Sequence, residues 1–136
     1  ALDAWAGIDM TELRAASLHL LEIFIAEVEA RCPALRLVSP RESSQRGSQV
    51  SFAFEHGYAA MQALIARDVI GDFRAPDIMR FGFTPLYLDE EDVRRAVDIL
   101  ADILDRRLWD RPEYKQANRV TCRWRAAPGS SRVPSW

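Results

Sequence analysis

The stretch Ile78-Met79-Arg80-Phe81-Gly82-Phe83-Thr84-Pro85-Leu86-Tyr87 decides how this chain is read. It runs as an apolar strand and then turns at Thr84-Pro85, with one charge, Arg80, in its middle. A charge among Ile, Met and Phe is costly to desolvate unless it is paired. Guanidinium suits such a position, because its planar fork can grip a carboxylate through two donors. Arg80 is therefore a candidate clamp for a carboxylate ligand. It is equally an arginine on the solvent side of a half-buried strand, or one paired with an internal Asp or Glu, since strand residues alternate between core and solvent. Spacing alone leaves these readings open.

Outward from this strand, the flanking segments define an α+β domain. Asp9 followed by Glu12 is a capping box, and Leu13, Leu20, Phe24 and Val28 recur at helical spacing until Cys32-Pro33 ends the pattern. A short strand is expected at residues 36–39, stopped by Pro40, followed by polar loop over residues 41–47. Residues 48–54 alternate, with Val50, Phe52 and Phe54 on one face. Residues 57–67 return to helical spacing through Tyr58, Met61, Leu64 and Ile65. A brief β-like stretch at residues 69–73 leads through Pro76 into the Arg80 strand. Asp89 then caps a last helix whose Val93, Val97, Leu100 and Leu104 face the core. The order α-β-β-α-β-β-α predicts a small, mostly antiparallel sheet covered on one face by helices. Regular patterning dissolves after Leu108, and residues 126–136 read as disordered.

The chain has 136 residues, enough for one independent core. Its net charge of −2 hides an asymmetry, because residues 122–136 hold three arginines and no acid. The other 121 residues carry 15 basic and 20 acidic groups, a net −5 that offers nucleic acid no electrostatic footprint. No apolar run approaches membrane-spanning length. Cys32 and Cys122 have neither disulfide-framework nor metal spacing, and fit a reduced cytoplasmic protein. The N-terminus has no signal-like pattern and starts as though cut from a longer chain. Lys115 is the single lysine, so any Schiff-base chemistry must use it or lie outside this chain. It sits in the polar run Asp110-Arg-Pro-Glu-Tyr-Lys115, where an ammonium stays solvated and protonated.

Other clusters read as structural. Arg46-Gly47-Ser48 could hold an anion with backbone donors, but fits better as a strand-entry turn in which Gly47 supplies a positive φ. His19 reads as a surface residue and His56 as part of a helix start. Asp89, Glu90, Glu91 and Asp92 read as solvated helix-start acids rather than a metal site. Trp5 and Trp109 are expected at the domain's edges.

Taken in order, Arg41-Glu42, Arg46-Gly47-Ser48-Gln49-Val50-Ser51-Phe52, Gly57-Tyr58, Ala63-Leu64-Ile65, Val69-Ile70-Gly71-Asp72 and the Arg80 strand resemble the C-terminal part of bacterial kynureninase. The resemblance covers about residues 1–121, including Trp109-Asp-Arg-Pro-Glu-Tyr114, and leaves 122–136 as a tail outside the family pattern. It implies a homodimeric, cytoplasmic pyridoxal-phosphate enzyme of the aspartate-aminotransferase fold type. Such an enzyme hydrolyses L-kynurenine, or 3-hydroxykynurenine, to anthranilate (or its hydroxy form) and L-alanine in tryptophan catabolism. The small C-terminal α+β domain closes over the substrate. The resemblance puts the substrate α-carboxylate on Arg80. It also implies that the cofactor lysine, the phosphate cup and the catalytic residues lie outside this chain, which should be inactive alone. Another fold-type-I enzyme, such as an aminotransferase or a desulfurase-like protein, would share the α+β order and a carboxylate-binding arginine but lack the blocks around Arg46 and Gly71. A stand-alone binding module is a third possibility; a start codon near Ala1 in the genome would favour it.

Overall fold

The computed structural model describes residues 7–116. Helix α1 (Met10–Arg31) opens at Asp9, whose side chain accepts the Thr11 N–H at 2.7 Å, and closes where the Cys32 N–H donates to the Val28 carbonyl. Strand β1 (Arg36–Leu37) and a 3-10 turn (Ser43–Gln45) lead to β2 (Gln49–Ala53). Helix α2 (Gly57–Ile65) is followed by β3 (Asp72–Arg74), β4 (Ile78–Gly82), α3 (Glu90–Asp105) and the short α4 (Pro112–Lys115). The four strands lie in the order β1-β2-β4-β3, and every neighbouring pair is antiparallel. This is the α+β architecture expected from the sequence. Helix α4 is an addition to it: Pro112 at the helix start supplies a preset φ where no N–H is needed.

The strands sort their residues by the period of two. Val50 and Phe52 of β2, and Met79 and Phe81 of β4, are buried in one cluster with Leu21, Phe24 and Val28 of α1, Leu64 of α2, and Val93, Val97 and Leu100 of α3. Phe24 anchors it, with its ring centroid 5.0 Å from Phe81, 4.9 Å from Phe83 and 6.1 Å from Phe52. The intervening residues of the same strands, Ser51 and Arg80, point to the opposite, helix-free face. Asp89 and Asp92 form the reciprocal capping box that starts α3.

Two local expectations are overturned. Trp109 is not at an edge but 5% exposed, with the His56 ring stacked on it at 4.0 Å and Phe54 against it edge-on. Gly47 does not supply a positive φ; among the described residues the only glycine that does is Gly7. Expectations placed on Trp5, Cys122 and the 122–136 tail lie outside the described residues.

Candidate functional site

Arg80 occupies the centre of β4, which has β2 on one side and β3 on the other. Its register partners are Ser51 on β2 and Asp72 on β3, so all three share the uncovered face. Arg80 Nε donates to Asp72 Oδ2 at 2.9 Å, and Nη2 donates to the same oxygen. Arg74 Nε lies 3.1 Å from that oxygen as well. The Arg80 guanidinium, through its hydrogen bond, holds the Asp72 carboxyl below its ordinary range, and the charge of Arg74 adds to the effect.

The internal-pair reading of Arg80 is thus correct as far as it goes. It does not exhaust the side chain. A guanidinium has five N–H donors, and Asp72 takes two of them through one oxygen. Nη1 has no partner among the described residues, and the Arg80 side chain keeps 31% of its surface exposed. Arg74, Arg80 and Asp72 together carry a net charge of +1. The arrangement is a half-engaged fork with an accessible edge, chemically fit to receive an anion of carboxylate shape.

Gly71 makes this geometry possible. A Cβ built there would lie 2.9 Å from the Arg80 carbonyl oxygen and 2.7 Å from Met61 Cε. Only glycine lets β3 approach β4 and α2 this closely, one residue before Asp72. One shallow depression of about 400 Å³ lies toward Arg36, Phe54 and Asp77; a cleft of about 560 Å³ lies between Arg67, Ile70, Phe83 and Arg95. Arg80 lines neither of these two.

The second arginine singled out by the sequence behaves differently. Arg46 has 1% of its side chain exposed. Its Nη1 donates to the carbonyls of Pro40 at 2.8 Å and Arg41 at 2.9 Å, and its Nη2 pairs with Glu22 of α1. Arg14 in turn donates to the Arg46 carbonyl and, at 3.1 Å, to Ser48 Oγ. The Arg46 guanidinium is therefore enclosed, its two terminal nitrogens bound to the protein's own oxygens, and it offers nothing to an anion at this turn. Sequence spacing gave no sign of this, because Glu22 lies 24 positions away.

The remaining candidates fall where a structural role places them. His19 is exposed and bonds Glu90 at 2.8 Å. His56 stands at the N-cap of α2 without a side-chain capping bond. Lys115 Nζ pairs with Asp110 at a half-exposed position. Among the described residues no group of three or more His, Cys, Asp or Glu could hold a metal ion. No helix among them is long and apolar enough to cross a membrane.

Comparison with known proteins fits this picture. The family model of the kynureninase C-terminal domain matches residues 13–100. Kynureninases of Burkholderia mallei strain SAVP1 and Burkholderia pseudomallei strain K96243 are each 54% identical over 122 residues. Kynureninase of Pseudomonas fluorescens is 53% identical over the same length. In each case the match takes in 88% of this chain and 29% of the relative. The chain therefore spans less than a third of the length of these curated relatives.

Proposed function

The chain belongs to the kynureninase C-terminal domain family, and from that premise we propose that it is the substrate-closing domain of a kynureninase. In this reading residues 1–121 form the domain, and the longer protein containing it hydrolyses L-kynurenine or 3-hydroxykynurenine. Water cleaves the bond between the β-carbon and the aryl ketone, giving L-alanine and the anthranilate. The longer protein would act as a cytoplasmic homodimer with pyridoxal phosphate.

The observation that carries the proposal is the half-engaged Arg80 on an uncovered sheet face. A kynurenine presents an α-carboxylate, and Arg80 has donors left for one. Bound there, the carboxylate fixes one end of the substrate, which restricts how its reacting bonds can be presented.

The residues of this chain do not fit the cofactor. Lys115, the only lysine, is paired with Asp110 at a half-exposed position. The cofactor's lysine and phosphate ligands belong, in this proposal, to the preceding part of the protein.

The test is to purify the full-length protein with pyridoxal phosphate and follow anthranilate fluorescence and alanine release from L-kynurenine. Equal release of both products is expected. Cofactor-loaded protein that releases neither from L-kynurenine or 3-hydroxykynurenine would overturn the proposal.

A further inference from the structure

We infer that Asp72 is the positioning residue for Arg80, holding its Nε and Nη2 side so that the remaining edge, with Nη1, faces the substrate carboxylate. The inference deepens the proposed function and rests on Arg80 being the carboxylate-binding group. Three observations carry it. Asp72 and Arg80 are register partners on adjacent antiparallel strands, which brings their side chains together on one face. Both Arg80 contacts go to a single oxygen, Oδ2, so the grip is from the side of the guanidinium and leaves the other edge open. Gly71 then fixes the distance between the strands, because no Cβ fits against the Arg80 carbonyl.

A carboxylate beside an anion site poses an electrostatic problem, since Asp72 on its own repels the ligand. Arg74 offsets this by pairing with the same Oδ2 at 3.1 Å, leaving the three side chains at +1. An arginine with four rotatable side-chain bonds would otherwise explore many orientations on an open face. Restricting it before the ligand arrives lowers the ordering cost of binding.

The electrostatic and positioning roles predict opposite signs. If Asp72 acted only through its charge, removing it would strengthen carboxylate binding and lower KM. If it positions Arg80, removing it weakens binding despite the gain in positive potential. The experiment measures kcat and KM for L-kynurenine in the full-length, cofactor-loaded enzyme carrying Asp72→Ala, Asp72→Asn, Arg80→Ala, or Asp72→Ala with Arg80→Ala. Melting temperature and cofactor absorbance confirm folding, and the near-isosteric Asp72→Asn serves if Asp72→Ala is unstable. A KM raised about tenfold by loss of Asp72, with kcat less affected, is expected. In the Arg80→Ala background the same change should add nothing, because its effect runs through Arg80. An unchanged or lowered KM in Asp72→Ala and Asp72→Asn, with Arg80→Ala clearly impaired, overturns the inference while the proposed function stands. A silent Arg80→Ala in an enzyme that turns over L-kynurenine overturns the inference together with the carboxylate role of Arg80, while the hydrolysis itself stands.

Discussion

Arg46 and Arg80 lie on or beside neighbouring strands, and each meets a carboxylate, yet they differ in what is left over. Arg46 is enclosed, with Glu22 and two backbone carbonyls around its terminal nitrogens. It ties the 41–47 segment to α1, and no ligand can reach it. Arg80 meets one carboxylate oxygen from one side and keeps an edge exposed. Both arginines leave donors unused, since Arg46 Nε is buried without a partner, so the role follows from whether a ligand can reach those donors rather than from the mere presence of an ion pair. An enclosed fork with several acceptors serves stability; a fork held from one side is prepared for something else.

If that division is right, the largest loss of stability should come from Arg46. Arg46→Ala strips the Pro40 and Arg41 carbonyls of their donor in a buried place and leaves a void, so unfolding free energy should fall by about 3 kcal/mol. Urea titration measures it; a loss no greater than that of an exposed substitution would erase the contrast. By comparison, Arg80→Ala breaks a half-exposed pair and should cost no more than about 1 kcal/mol.

Gly71→Ala should be next, at about 2 kcal/mol, because the new methyl meets the Arg80 carbonyl oxygen, which cannot move without shifting the strand. Since that shift loosens β3 against β4, this variant should also raise KM in the full-length enzyme. Arg46→Ala should leave KM unchanged wherever the protein remains folded. Equal effects of the two variants on KM would contradict the separation of the two regions.

The smallest effect concerns pH and the buried face. Burial pushes the Cys32 thiol from an ordinary 9.0 up to about 11. The folded state holds this proton more tightly than the unfolded chain. The corresponding stability is fully present below pH 9 and declines as pH rises toward 11. Cys32→Ala should flatten that decline in denaturation curves collected across this window. Asp72, with its pKa lowered chiefly by Arg80, has the opposite sign: its contribution is present at neutral pH and fades as acid protonates the carboxylate.

Much of the fold was legible because it depends on short-range signals. Asp9 and Asp89 mark helix starts, Cys32-Pro33 marks a helix end, and the alternation of Val50 with Phe52 marks a strand with one buried face. The Arg80 strand was legible for the same reason, and with it the conflict between a charge and its apolar neighbours. The partners were not legible. Asp72 becomes the partner of Arg80 only through the antiparallel register around the Ala75-Pro76 turn. Residues 41–47 read as solvated loop because each is polar or small. Only the return of Arg46 to Glu22, and of Arg14 to the Arg46 carbonyl, turns that loop inward. Trp109 was misplaced because charged residues flank the Leu108-Trp109 pair on both sides in sequence, whereas its neighbours in space are His56 and Phe54.

The central claim is that Arg80 keeps donors for a substrate carboxylate. Arg80→Lys in the full-length enzyme tests it most directly, since lysine preserves the charge and removes the planar fork. With the fork gone, kcat/KM for L-kynurenine should fall roughly ten- to a hundred-fold, the size of a lost charge-assisted bond of about 1.5–3 kcal/mol. Melting temperature and cofactor absorbance should stay near those of the unaltered enzyme. An unchanged kcat/KM in a stably folded Arg80→Lys enzyme would contradict the claim.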